Sequence, residues 1–495
     1  MSQKDILIYL LTIFILNSNI SEARRSRDNF QVDPNYRDPQ IWSGSLPVSE
    51  TMLTNLGLFR RHFSFSLFSE SKDVIEWHID KIFPEFEGAS RELLKVLQSK
   101  IQNPRLRPEE IAQEQQNALD LISFVEPLGD RDTSETLQYI SNMIGNFLRE
   151  RINFHKELHW LRVDHYGDWY GSYFMDPMNH HGIDEAVFSL ARMVAILEDV
   201  YAMIPEDAGG QIAHIRNKIE DTFQREELQP FLEKRELIDF LKSNQNIGAV
   251  RSNEEFNSLL EELSDLWVIS TERGGGPAAH PELRQFPDRM MQACLAPLDY
   301  YCRVARISLN GNYTVPNTDQ PVGTIQLGSY SNPIIGRDVE ITPITIGIDS
   351  NTPALLLSGP NMGGKTTTAR GLTMAVLLSQ MGVPLPAESA SLAPFKNIYT
   401  IFPRPEQLQE GHGYFSKLVE EITSLIGKVG LGDLVVMDEV PTGTEYRELV
   451  AIAVVLIEDL IDSGATVVAT GHLKKAFELI AEDTGIQPYM HTVSE

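Results

Sequence analysis

Lys365 and Thr366 close the run Gly359-Pro-Asn-Met-Gly-Gly364-Lys365-Thr366, which meets the spacing G-x-x-x-x-G-K-[ST] at every fixed position. Gly363 and Gly364 can turn successive N–H groups inward, and the helix expected after them adds its positive dipole end, so the run makes a concave site for phosphate. In that chemistry Lys365 reaches the β- and γ-phosphates of a nucleotide and Thr366 offers its hydroxyl to Mg²⁺. About seventy residues on, Leu434-Val-Val-Met ends in two carboxylates, Asp438 and Glu439. Asp438 is suited to hold the Mg²⁺, directly or through water, and Glu439 to polarise an attacking water. His472, after Thr466–Thr470, is placed to sense a γ-phosphate or orient water. The expected cofactors are therefore ATP and Mg²⁺, with Gly359, Pro360, Asn361, Met362, Gly363, Gly364, Lys365, Thr366 and Thr367 binding nucleotide. Thr366 and Asp438 are the expected metal ligands, and Glu439, Lys365 and His472 the expected catalytic residues.

These groups need elements to hold them. Ala354–Leu357 is a short apolar run and Thr367–Met381 reads as a helix, so the glycine run sits at a strand-to-helix turn; a glycine turn that merely contains Lys lacks such flanks. Further strands are expected near 323–327, 339–346, 397–402, 434–437 and 466–470, alternating with helices, which predicts a parallel sheet covered on both faces. Upstream, helical periodicity dominates: 53–121, 134–163, 184–204, 208–243, 253–268 and 283–306 read as helices. Arg273-Gly-Gly-Gly-Pro277 is the clearest loop. The expected organisation is an entry segment at 1–45, a helical region at 46–306 and an α/β region at 307–495.

Composition narrows the function classes. With 69 acidic against 42 basic residues in 495, the net charge is −27, so any nucleic-acid contact requires a local basic stripe. Two cysteines, Cys294 and Cys302, make neither a disulfide framework nor a metal set and read as packing residues. Ile6–Leu16 is apolar apart from Thr12, and Ser21-Glu-Ala23 loosely matches a signal-peptidase site; yet the run is too short to span a bilayer and lacks a positive start. A buried or interfacial helix in an intracellular chain, without stable membrane association, is the expectation, and the sequons at Asn19 and Asn312 then carry no sugar. His155-Lys-Glu-Leu-His159 has a spacing zinc can use, with His165, His180 and His181 nearby, but no third ligand is specified and an ordinary polar helix face is the simpler reading. Phe83-Pro-Glu85 reads as chance.

Ser358-Gly-Pro-Asn-Met-Gly-Gly-Lys-Thr366, Met381-Gly-Val-Pro-Leu-Pro-Ala387, Leu434–Glu439 with Gly443-Thr444, and Ala469-Thr-Gly-His472 together resemble the ATPase domain of the MutS family of DNA mismatch-repair proteins. Leu295–Ala305 is similar to the helix that ends that family's lever region, and Tyr330-Ser-Asn-Pro-Ile-Ile335 to its Arg-His-Pro segment. The resemblance covers about 46–495, most closely after 295. It implies α plus α/β architecture: a long helical core and lever followed by an ABC-type P-loop nucleotide-binding domain, with dimerisation through the ATPase domain. It further implies DNA as partner, ATP-driven lever movement, Asn361 near the γ-phosphate, and His472 in the family's strand-end histidine position.

Departures accompany the resemblance. Gly413-Tyr414-Phe415 stands where the family has Ser-Thr-Phe, which puts the contact to a partner's ATP in doubt. Pro441-Thr-Gly-Thr-Glu445 replaces Gly-Arg-Gly-Thr-Ser. The family's amino-terminal mismatch-reading domain has no counterpart, and at Glu495 the family continues into a dimerising end, so a shortened relative or a truncated fragment is expected. The leading expectation is an ATP-dependent DNA-binding protein of mismatch repair or related DNA metabolism. The alternatives are a nucleotide-binding switch or scaffold with weak hydrolysis, and a membrane-tethered ATPase not acting on DNA.

Overall fold

The computed structural model describes residues 59–66, 69–77, 84–86, 90–124, 131–163, 180–243, 253–260, 281–333, 342–360, 363–402, 425, 427–438, 446–472, 474–484, 486 and 489–490. It begins with an antiparallel pair, β1 (Phe59–Ser66) and β2 (Ser69–Trp77), in register from Phe59 opposite Trp77 to Ser64 opposite Lys72. This corrects the helical reading of 53–121 over its first part, while 91–102 and 108–121 are helical as expected: Phe59, Phe63 and Phe65 fall on alternate positions, the period of a strand.

Helices follow. The first, α1 (Arg91–Gln102), is capped by Ser90, whose hydroxyl accepts from Leu93 N at 3.1 Å, and it buries Leu93, Leu97 and Ile101 along one stripe. After α2 (Pro108–Phe124), the long α3 (Thr133–Val163) opens with a reciprocal cap: Glu135 N donates to Asp132 Oδ1 and Asp132 N to Glu135 Oε2. It packs along α4 (His180–Met203), where Arg192 and Glu150 make a buried 2.9 Å ion pair. The span expected as one helix at 208–243 is broken into α5 (Gly210–Phe223), a short 3₁₀ turn, α6 (Gln229–Glu233, with Pro230 in its first turn) and α7 (Arg235–Ser243). Next, α8 (Pro281–Met290) passes through a π turn at Met291–Leu295 into α9 (Ala296–Leu309), which packs on α1, α2 and α3. Cys294 and Cys302 lie buried there; burial pushes the Cys294 thiol up to about 11 and Cys302 further, so both stay protonated packing groups.

The remainder is sheet and helix. A three-stranded antiparallel sheet runs β4 (Ile344–Ile348), β3 (Ile325–Tyr330), β6 (Ser389–Leu392). The main sheet is wholly parallel, in the order β10 (Tyr489–Met490), β5 (Ala354–Ser358), β9 (Thr466–Gly471), β8 (Asp433–Met437), β7 (Asn397–Ile401). Its central strands are buried on both faces, hence their almost unbroken apolar sequence. Leu355, Leu357, Leu434, Val436 and Val468 face α10 (Lys365–Gln380) in one core, which continues into the helical region. Leu356, Val435, Met437, Val467 and Ala469 face the other way, packing with residues of α11 (Tyr446–Asp462) and α12 (Lys474–Thr484).

Polar contacts tie α10 to the rest. Gln380, 1% exposed, donates to Arg105 O (2.9 Å) and Phe395 O (3.1 Å) and accepts from Phe395 N, while its own carbonyl accepts from Arg105 N. Gly382 turns the chain at φ +75°, with the place of a Cβ only 2.8 Å from the Cβ of Glu114 on α2, so glycine is required on both counts. Tyr330 OH donates to Gly371 O at 2.8 Å, and burial pushes its phenol well up, keeping the proton for that bond. Among the described residues no helix is long and apolar enough to cross a membrane; Ile6–Leu16 lies outside them.

Candidate functional site

Three consecutive strands of the main sheet set the site. Because β9 is inserted between β5 and β8, the carboxyl ends of all three come together, and ligands of open α/β sheets bind beyond such ends. The glycine run leaves β5, Asp438 leaves β8, and Thr470–His472 close β9. The register places Leu357 opposite Thr470 and Ser358 opposite Gly471.

Gly364 is the N-cap of α10 at φ +81°, a left-handed conformation that costs a side-chain-bearing residue about 1–2 kcal/mol. This turn aims the first N–H groups of α10, which have no carbonyl partners within the helix, back over the loop. Lys365, only 7% exposed, folds over the same loop: its Nζ donates to Gly359 O at 2.9 Å and Pro360 O at 2.8 Å. An ammonium has three donors, so one remains for an anion. Thr366, one residue on, donates from Oγ1 to Asp438 Oδ1 at 2.9 Å.

Asp438 is 5% exposed and anchored through its own N–H to Ile401 O at 2.9 Å. Its Oδ1 accepts a second hydroxyl, Thr470 Oγ1, at 2.6 Å. Among the described residues its Oδ2 has no hydrogen-bond partner. A carboxylate oxygen and a threonine hydroxyl held together beside a lysine and a helix N-terminus suit a phosphate carrying a hard divalent cation, because such cations take oxygen ligands. The residues present therefore fit a magnesium-bound nucleotide.

Of the residues picked from sequence, Gly359, Pro360, Gly363, Gly364, Lys365, Thr366, Thr367 and Asp438 share this corner, and His472 is exposed at its rim. Asn361, Met362, Glu439, Gly413 and Tyr414 lie outside the described residues. Thr470 is the residue that sequence reasoning passed over. In a strand a threonine reads as a β-former, and only its period-two phase with Val468, toward α10, hints at more. Away from this corner, His155 Nε2 lies 3.4 Å from Asp288 Oδ2, and among the described residues no group of three or more His, Cys, Asp or Glu side chains could hold a metal.

A family model described as MutS domain V matches residues 355–494. "Endonuclease MutS2" of Halalkalibacterium halodurans is 35% identical over 151 residues, 30% of this chain and 19% of that protein. The Thermotoga petrophila protein of the same name is 32% identical over 155 residues, 31% of this chain and 20% of its own. The one from Clostridium botulinum (strain Loch Maree / Type A3) is 28% identical over 188 residues, 37% and 24% of the two chains. The chain thus matches only about a fifth to a quarter of the length of these curated relatives.

Proposed function

We propose, from the premise that the carboxyl-terminal part of this chain is a domain V of the MutS family, that the chain is a magnesium-dependent ATPase acting in DNA metabolism. The observation that carries the reading is the meeting of Lys365, Thr366 and Asp438 across the ends of β5 and β8, with Thr366 Oγ1 on Asp438 Oδ1 at 2.9 Å. In this reading 307–495 is an ABC-type P-loop nucleotide-binding domain and 46–306 a helical core and lever.

Residues Gly359–Thr367, with Asn361 and Met362 in the loop, cradle the triphosphate through backbone N–H groups, and the third donor of Lys365 goes to the β- and γ-phosphates. Thr366 and Asp438 hold Mg²⁺, which supplies charge neutralisation on the phosphate oxygens. Thr366 can donate its proton to Asp438 and still present a lone pair to the cation, so their hydrogen bond need not break. Glu439, next to Asp438 at the strand end, takes the proton of the attacking water, and His472 reaches the γ-phosphate from the end of β9.

The relatives' name, endonuclease, speaks of action on nucleic acid and supports DNA as the partner. Dimerisation through the ATPase domain and movement of the lever with nucleotide complete the proposal, and the Gln380 and Gly382 contacts to Arg105 and Glu114 offer a route between the two parts.

Steady-state ATP turnover by the full chain, with Mg²⁺ and with or without paired, mismatched and branched duplexes at fixed salt, tests this. Wild type should turn over ATP and respond to DNA, and Lys365→Met should lose at least a hundredfold, since its charge faces the transferred phosphate. Undiminished turnover by Lys365→Met would sink the site; turnover indifferent to every duplex would sink the DNA role.

A further inference from the structure

We infer that Thr470 is the positioning residue of the cation site: its hydroxyl fixes Asp438 in the one orientation that leaves Oδ2 for Mg²⁺. The inference rests on the nucleotide reading above and names a residue that neither the loop pattern nor the strand-end carboxylates call for.

Three observations carry it. First, the sheet order puts β9 between the strands that supply the loop and the carboxylate, so Thr470 has no role in reaching outward; it is 0% exposed and enclosed by both. Second, its hydroxyl lies 2.6 Å from Asp438 Oδ1, a short O–H to carboxylate bond, beside the 2.9 Å bond from Thr366 to the same oxygen. Third, both of these hydroxyl donors converge on the same oxygen. Oδ1 accepts from α10 and from β9, which fixes the carboxylate and leaves Oδ2 outside both of these bonds.

Physical chemistry explains why one donor is insufficient. A side-chain carboxylate rotates broadly about its last torsion, and Thr366, itself an expected cation ligand, shares its hydroxyl between Asp438 and the cation. Thr470 sits on the central strand of the sheet and is not an expected cation ligand, so its hydroxyl serves the carboxylate while that of Thr366 also serves the cation. Catalytic and metal groups work when such supporting hydrogen bonds fix them, and removing a supporting partner commonly costs metal affinity tenfold to a hundredfold (about 10–100).

The test is a Mg²⁺ titration of fluorescent N-methylanthraniloyl-ATP binding to the full chain, run alongside binding in EDTA. Thr470→Val is nearly isosteric and suits a β-strand, so the sheet is kept while the donor is lost. It should require about tenfold or more Mg²⁺ for half-maximal binding, with binding in EDTA unchanged; Thr470→Ser, which keeps the hydroxyl, should titrate near wild type. A purely structural role would lower melting temperature and EDTA binding together without moving the Mg²⁺ midpoint, and that result overturns the inference. A wild type with Mg²⁺-dependent binding and an identical Thr470→Val curve also overturns it, leaving the nucleotide reading intact. A wild type whose binding ignores both Mg²⁺ and Lys365→Met overturns the nucleotide reading and this inference with it.

Discussion

The helical region and the strand ends of the main sheet bury polar groups in opposite ways. Around Glu114 on α2 the network is closed: Oε2 takes Lys100 Nζ at 2.5 Å and Tyr301 OH at 2.9 Å, Oε1 faces Arg105, and Tyr301 accepts in turn from Asn117. Every charge there is answered by neighbours, and burial, with the charge and hydrogen bond of Glu114, pushes Tyr301 far up, keeping it a donor. At the strand ends Asp438 is as deeply placed, yet the Thr366 and Thr470 hydroxyls crowd one oxygen, and Lys365 spends two of three donors. The difference teaches where chemistry belongs: a saturated network holds a fold together, whereas leftover bonding capacity in a rigid setting is what a ligand can use.

Breaking the closed network should give the largest effect on stability and the smallest on the site. Glu114→Ala strips the carboxylate from half-buried Lys100 and buried Tyr301, and removing one partner of a buried pair costs about 3–5 kcal/mol. Urea unfolding would register this, and a loss under about 1 kcal/mol would mean the network is not the structural one described.

Gly382→Ala comes next. It combines a left-handed φ of +75° with a Cβ 2.8 Å from that of Glu114, so about 2–4 kcal/mol is expected. At Gly364, where φ is +81° but a Cβ meets open space, alanine should cost only the conformational part, about 1–2 kcal/mol, and fall mainly on nucleotide binding. Equal melting shifts for the two would erase the contrast between packed joint and open loop.

The smallest effect is one of pH. Glu92 on α1 is pushed up by burial, yet the hydrogen bond and charge of Arg151 outweigh this and hold its carboxyl below the ordinary value. A depressed carboxyl contributes stability that is full above about pH 4.3 and is lost as pH falls through the folded value. Wild type should therefore lose stability more steeply than Glu92→Gln below about pH 4.3; parallel acid-unfolding curves would contradict the assignment.

Much of the sheet was legible because its signals are local. Continuous apolar runs marked β5, β8 and β9, the glycine spacing marked the turn into α10, and Asp438 followed directly from its strand. What escaped depends on distance or on weak local pattern. The β1–β2 pair alternates with Arg, His and Ser between its aromatics and reads as an amphipathic helix as easily as a strand. Ser389–Leu392 has four small or polar-flanked residues and becomes β6 only by pairing with β3. The bridge from Gln380 to Arg105 spans 275 residues, and the bond from Thr470 to Asp438 depends on a strand order no window of sequence contains.

The most direct trial of the proposed site is ATP hydrolysis by Asp438→Asn, measured with Mg²⁺ on chain whose melting temperature stays within a few degrees of wild type. Asparagine keeps the size and one acceptor for Thr366 and Thr470 but removes the charge offered to the cation. The expected result is a fall in turnover of at least a hundredfold, in line with losing one electrostatic group of a catalytic site; turnover equal to wild type would show that Asp438 holds no catalytic cation.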